Sequence, residues 1–300
     1  MRGAFAALAF ALLPVAATAQ PAEPAYTMPD TKVMSFTSKD GAHSFRLLVG
    51  LPRDYATRGE RFPVIYLLDA DFSFALAQDI QRHSTDRGQE KEAIVIGVAY
   101  PGADTDLKTY ERTRTRDYTP SFVAEGGYGP DIQALSGGGP EFLRVLGDEL
   151  IPFIDAKFRT DPAQRMIVGH SFGALFACYA MLTRPGLFHD YLIVSPSLWY
   201  DDRRMFGLAT AYIAAHKALS AHVFYAIGAL EASSDHAMVD DLRAWNTLLG
   251  DAKLGGYKSQ MTVFDGDTHE SVFPGALTRG LRVLDDYAGE ADGNTLERGK

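Results

Sequence analysis

Residues 165–173 constrain this chain more than any other stretch. A β-forming run, Arg165-Met166-Ile167-Val168, leads into Gly169-His170-Ser171-Phe172-Gly173, and an apolar, helix-forming run from Ala174 to Leu182 follows. Strand, G-x-S-x-G and helix in that order describe a nucleophile elbow. A serine hydroxyl attacks poorly until a base removes its proton. A tight turn lifts Ser171 above a sheet, where a histidine from another loop reaches it. The glycines remove side chains that would clash in such a turn. The helix that follows aims free N–H groups and the positive end of its dipole at the same place. The alternative is a structural serine in a strand-to-helix turn.

The N-terminus has its own signature. Met1-Arg2, an apolar run from Ala4 to Val15 and Ala17-Thr18-Ala19 have the layout of a secretory leader. Residues 1–19 are therefore expected to be a signal peptide cleaved after Ala19. The apolar run is too short for a comfortable membrane span. No cysteine near the site suggests a lipid anchor. The mature chain is expected to be secreted, or periplasmic if the source is Gram-negative, with no membrane contact after cleavage.

Residues 20–300 suffice for one large α/β domain. The formal net charge of −9 argues against nucleic acid as a partner, since phosphate backbones reward basic surfaces. Cys178 is the sole cysteine, so no internal disulfide forms, and a small buried apolar role is expected. The sequence shows no Cys/His metal cluster, and neither a metal nor an organic cofactor is expected.

Hydrophobic patterning gives the layout. Thr31–Thr37 and Ser44–Leu51 flank Lys39-Asp40-Gly41 and predict an antiparallel hairpin. Short apolar runs follow at Phe62–Leu68, Ala93–Ala99, Arg165–Val168, Tyr191–Val194, His222–Ile227 and Gln260–Phe264. Separated by helix-forming segments, they predict a mostly parallel sheet covered on both faces. One helix is expected over Phe142–Phe158 and a last one over Ala276–Tyr287, with residues 289–300 as a polar, frayed tail. Pro101–Pro140 is the least regular interior stretch. Its glycine clusters lack the Lys-Ser/Thr ending of a phosphate loop.

A serine on such an elbow is followed in chain order by an acid and then a histidine. His269 lies just past the last expected strand and is the candidate base, with His236 as its competitor. The acid should follow His222–Ile227, where Glu231 is preferred and Asp235 is the alternative. Asp265 and Asp267 are read as turn residues. The oxyanion hole needs two backbone donors. Phe172 is expected to supply one, and Ala70 or Asp71 the other.

Several further segments, in order along nearly the whole mature chain, resemble the esterase D-type branch of the α/β-hydrolases, near hydrolases of trilactone siderophores. They are Tyr66-Leu67-Leu68-Asp69-Ala70-Asp71, Arg114-Thr115-Arg116-Asp117-Tyr118-Thr119-Pro120, Ser136-Gly137-Gly138-Gly139-Pro140-Glu141-Phe142-Leu143, Ser195-Pro196-Ser197-Leu198-Trp199 and Gly266-Asp267-Thr268-His269-Glu270-Ser271. The resemblance carries the family's serine to Ser171, its histidine to His269 and its glutamate to Glu231. The family often has Gly where Ala70 stands, and an extra methyl there is expected to narrow the oxyanion loop.

Arg112, Arg114 and Trp199 are candidates for substrate contact. Arg116 and Asp117 are expected to pair and pin their loop. The leading expectation is an exported serine carboxylesterase with a small-molecule ester substrate, a siderophore lactone or a related ester. The rivals are an acyltransferase of the same fold and a siderophore-binding protein without turnover.

Overall fold

The computed structural model describes residues 25–88, 90–233 and 236–291. The proposed leader lies outside them, and so does the tail beyond Ala291.

Among the described residues, eight strands form one sheet: β1 (Thr31–Thr37), β2 (Ser44–Gly50), β3 (Phe62–Leu67), β4 (Ile94–Ala99), β5 (Thr160–His170), β6 (Asp190–Val194), β7 (Ala218–Gly228) and β8 (Gly255–Phe264). Their spatial order is β1-β2-β4-β3-β5-β6-β7-β8. The β1–β2 and β2–β4 pairs are antiparallel, and the pairs from β4–β3 through β7–β8 are parallel. This is the expected α/β-hydrolase architecture, with the N-terminal hairpin at one edge.

The helices of the same residues, in chain order, are α1 (Ala70–Asp86), α2 (Leu107–Tyr118), α3 (Pro130–Gln133), α4 (Gly139–Val145), α5 (Ile151–Asp155), α6 (Phe172–Thr183), α7 (Tyr200–Ala215), α8 (Met238–Asp251) and α9 (Val272–Ala291). Successive strand residues point to opposite faces, which divides the core in two. Ile65, Leu67, Val95, Val168, Leu192 and Val194 pack with α1 and α9 on one face. Val64, Tyr66, Ile96, Ile167, Ile193 and Tyr225 pack with helices that include α4, α6 and α8 on the other. Cys178, on α6, is a fully buried free thiol.

Two expectations need correction. The helix expected over Phe142–Phe158 begins at Gly139 and widens into a π turn over Leu146–Leu150 before α5. Pro152 follows this turn; it supplies no N–H, and its ring would clash with the carbonyl of residue 148 in a regular α-helix. The stretch after Pro101 also contains an ordinary helix. In α2, the Asp106 side chain caps the first turn by accepting from the N–H groups of Lys108 and Thr109. This helix buries Arg114 and Asp117 instead of an apolar stripe, so hydrophobic periodicity does not reveal it.

Candidate active site

The carboxyl ends of the parallel strands converge at one rim of the sheet, where open α/β sheets bind ligands. β5 delivers Ser171 there, and the ends of β6, β7 and β8 deliver Ser195, Glu231 and His269.

Ser171 occupies an unusual backbone conformation, with φ 57° and ψ −117°. Positive φ is costly for a residue with a side chain and persists only where the surroundings enforce it. Here the Ser171 N–H donates to the carbonyl of Val194 at 3.0 Å, and its carbonyl accepts from Leu175 N–H at 2.9 Å. Gly169 makes the turn possible: a Cβ there would lie 2.4 Å from the carbonyl carbon and oxygen of Gly173.

Glu231 sits in a short 3-10 turn just past β7 and is only 4% exposed. Its Oε2 accepts from Nδ1–H of His269 at 2.7 Å, and its Oε1 accepts from the Ser195 hydroxyl at 2.7 Å and the Gly228 N–H at 2.8 Å. Burial pushes this carboxyl up, but the bonds from His269, Ser195 and Gly228 outweigh it and hold the group below the usual glutamate range. A buried anion with three donors is well satisfied. Asp235, the other candidate acid, lies outside the described residues.

The loops that carry His269 and Glu231 are fastened to each other. Leu230 N–H donates to the Asp267 carbonyl at 3.0 Å. Gly228 permits this approach, because a Cβ on it would fall 2.4 Å from that same oxygen. Asp267 accepts from the Ser271 hydroxyl at 2.7 Å, which is turn chemistry.

Ser171 and His269 line one cavity of about 330 Å³ together with His170, Arg114, Tyr128 and Trp199. Ser171 Oγ meets Ser197 Oγ at 3.4 Å, a long contact that leaves the hydroxyl free to turn. With Nδ1–H of His269 given to Glu231, Nε2 is the nitrogen left to accept the serine proton. His236 instead lies flat on Trp199, with ring centroids 4.0 Å apart and 12° between planes.

Phe172 opens α6 and Ala70 and Asp71 open α1, so all three N–H groups lie in first turns, where the helix itself offers no acceptor. The two helix starts adjoin, since a Cβ on Gly173 would come within 3.0 Å of Asp69 Oδ2. The methyl of Ala70 does not narrow the loop as expected. It faces the sheet, where a Cβ on Gly97 would lie 2.8 Å from it. Asp71 turns its carboxylate toward Arg46 Nη2 at 3.3 Å and the Tyr100 N–H at 3.1 Å. Burial pushes that carboxyl up to about 6.

The substrate-contact candidates separate. Arg114 borders the cavity, but its Nε and Nη2 donate to the two oxygens of Asp69 at 3.0 and 3.1 Å, and Nη1 bonds the Tyr128 hydroxyl. Its charge is compensated in place. Arg112 lies exposed on α2 and is not part of the cavity wall, because residues two apart on a helix do not share a face. Arg116 Nε donates to Asp117 Oδ1 at 2.6 Å, so the expected pair forms, but both residues lie in the last turn of α2 and not in a loop.

Sequence reasoning missed four contributors. Ser195 supports Glu231. His170 donates Nε2–H to the main-chain carbonyl of His269 at 2.8 Å. Tyr110 and Tyr128 wall the cavity, one on the unrecognised α2 and the other in a glycine-rich loop. His170 and Ser195 fall inside the elbow and a family-like segment, but no residue type or spacing assigned any of the four its role. No group of three or more His, Cys, Asp or Glu able to hold a metal ion occurs among the described residues.

A strand–elbow–helix serine, a strand-end acid and a following histidine on this sheet define an α/β-hydrolase. The family model described as "Putative esterase" matches residues 38–284, and the chain belongs to that esterase family. It is similar to the ferri-bacillibactin esterase BesA of Bacillus subtilis, with 27% identity over 283 residues that cover 92% of this chain and 95% of the relative. An IroE-like serine hydrolase from Shewanella oneidensis superposes with a TM-score of 0.75 and 26% identity, over 85% of this chain and 80% of that one. The siderophore hydrolase EstA of Aspergillus nidulans shares the fold, with a TM-score of 0.77 and 24% identity over 90% of this chain and 100% of its own.

Proposed function

We propose that this protein is an exported serine carboxylesterase that cleaves a siderophore lactone or a related ester through an acyl-enzyme. The observation that carries the reading is the 2.7 Å bond from His269 Nδ1 to the buried Glu231, made beside a cavity that also holds Ser171. In the proposed reaction His269 Nε2 takes the Ser171 proton as Oγ adds to the ester carbonyl. Glu231 fixes the tautomer and stabilises the imidazolium. The N–H of Phe172, with that of Ala70 or Asp71, receives the negative oxygen; one such donor is typically worth about 3 kcal/mol in the transition state. His269 then protonates the leaving alkoxide. Water, deprotonated by the same nitrogen, releases the acid and restores Ser171. Every proton is carried by side chains of this chain, so the scheme uses no cofactor.

The siderophore reading rests on BesA, whose similarity spans nearly the whole of both chains. Export rests on the leader-like residues 1–19, and N-terminal sequencing of the secreted or periplasmic product should begin at Gln20. For the chemistry, purified protein should hydrolyse members of a panel that runs from acetyl and aryl esters to a catecholate trilactone. Ser171→Ala should abolish that turnover, and activity retained by this variant would reject the site.

A further inference from the structure

The turn that carries Ala70 and Asp71 is fastened at both ends. Upstream, Asp69 has a left-handed backbone, with φ 52° and ψ 37°. Its N–H donates to the Tyr118 hydroxyl at 3.2 Å, and its carboxylate accepts both bonds of the Arg114 fork, so α2 holds this end. Downstream, the Asp71 carboxylate reaches the β2–β4 pair. Its Oδ2 accepts the N–H of Tyr100, just past β4, at 3.1 Å, and its Oδ1 meets Nη2 of Arg46, on β2, at 3.3 Å. Arg46 continues through Nη1 to Asp104 Oδ2 at 2.7 Å.

An Asp in the first turn of a helix is ordinary, because the dipole favours an anion there. Such side chains usually stay in water, whereas that of Asp71 is 0% exposed. The Tyr100 N–H needs only a neutral acceptor, which Asn would supply. The charge is what requires a reason. One cation, Arg46, faces it, against two anions, Asp69 and Asp104. Burial, helped by those two anions, outweighs the Tyr100 bond and Arg46 and brings the carboxyl to about 6, whereas an Asp in the unfolded chain titrates near about 3.9. Between these values the native state binds more protons, so stability falls as pH rises through the window. At neutral pH the ionised carboxylate therefore weakens the fold. A buried charge that stability does not favour, beside a reaction centre, points to function.

We propose that Asp71 is a positioning residue whose ionised side chain, drawn to Arg46, sets where the N–H of Ala70 or Asp71 meets the negative oxygen of the transition state. This role presupposes the esterase reading above. It gives the turn a sensitivity to acid that is separate from His269. Once Asp71 is protonated it still accepts from the Tyr100 N–H, but its charge no longer attracts Arg46, which keeps Asp104. The downstream end is then held by one neutral bond.

The test measures kcat and KM for 4-nitrophenyl acetate from pH 5 to 8 in wild type, Asp71→Asn, Arg46→Gln and the double variant. Asp71→Asn keeps the main-chain N–H and the shape but not the charge. At pH 8 its kcat should be about tenfold below wild type with KM within about twofold, and its Tm should equal or exceed that of wild type. The ratio of wild-type to Asp71→Asn kcat should decline toward about one in acid, with its midpoint near the value of about 6 that Asp71 carries. Titration of His269 is common to both proteins and cancels in the ratio. Arg46→Gln should show a similar loss at pH 8, and the double variant no further loss, because the two residues act as one unit. Unchanged kcat in Asp71→Asn, or a ratio constant with pH, overturns the role. So does a Tm that falls with kcat, or losses that multiply in the double variant. Each of these results, with an active wild type, leaves the esterase reading standing. If the wild type cleaves no ester at all, that reading fails first, and the role of Asp71 with it.

Discussion

His170 donates its Nε2–H to the main-chain carbonyl of His269 across 2.8 Å, so the residue next to the proposed nucleophile, Ser171, holds the loop of the proposed base. A carbonyl only accepts, which places the His170 proton on Nε2. The rings lie 4.5 Å apart. Removing this tie should let the base loop drift from Ser171. His170→Ala is expected to lower kcat by about tenfold or more, because small displacements of catalytic groups are costly. His170→Gln keeps an N–H at comparable reach and should recover part of the loss. Steady-state kinetics on 4-nitrophenyl acetate decide it, and equal activity in both variants would remove His170 from the account.

The same imidazole predicts a pH effect on stability. Burial, then the neighbouring His269 and Arg114, push its pKa down to about 3. The native state keeps His170 neutral, whereas the unfolded chain takes up a proton below about 6.5. Between these values the unfolded state binds more protons, so stability rises with pH and is lost as pH falls toward 3. This site contributes a slope of up to about 1.4 kcal/mol per pH unit. Urea unfolding of wild type and His170→Gln at pH 7, 5 and 4 should show the shallower decline in the variant. Parallel declines would contradict the assignment.

Glu231 and Ser195 should differ in weight. Glu231→Gln keeps the shape but offers an amide where His269 needs an anion, and kcat is expected to fall by about 100-fold to 10,000-fold. Ser195→Ala removes one of the donors that hold Glu231 and should cost about tenfold at most. Asp235→Asn is expected to be near neutral. A large loss in that variant beside an active Glu231→Gln would reassign the acid.

The elbow was legible in sequence because its requirement is local: a strand, a turn that needs glycines, and a helix. The sheet was legible because two-sided burial writes continuous apolar runs, as in β4 and β6. The Ser195 and Gly228 partners of Glu231 were not, nor was the cavity wall beyond Arg114 and Trp199. Ser195, His170, Tyr110 and Tyr128 come from four separate places in the chain and meet only through the order of the strands. Helix α2 escaped for another reason. It is anchored by buried polar contacts, the ion pair of Arg114 with Asp69 and the bond from the Tyr100 hydroxyl to Asp117, and such contacts leave no period in hydrophobicity.

Glycines at the elbow should not be equivalent. Gly169→Ala drives a methyl to 2.4 Å from the Gly173 main chain, where only the turn itself can yield. Gly173→Ala meets a side-chain oxygen of Asp69 at 3.0 Å. The first is expected to cost about 3 kcal/mol or more and the second about 1 kcal/mol. Thermal unfolding would rank them, and a Gly169→Ala protein as stable as wild type would contradict the packing described here.

The central claim is that Ser171 is activated by His269 and Glu231, and reaction with a fluorophosphonate probe tests it most directly. Peptide mass spectrometry should find the phosphonyl group on Ser171 in folded wild-type protein, and neither His269→Ala nor heat-denatured wild type should label at a comparable rate. No adduct on the folded wild type, or an adduct on another serine that survives Ser171→Ala, would contradict it.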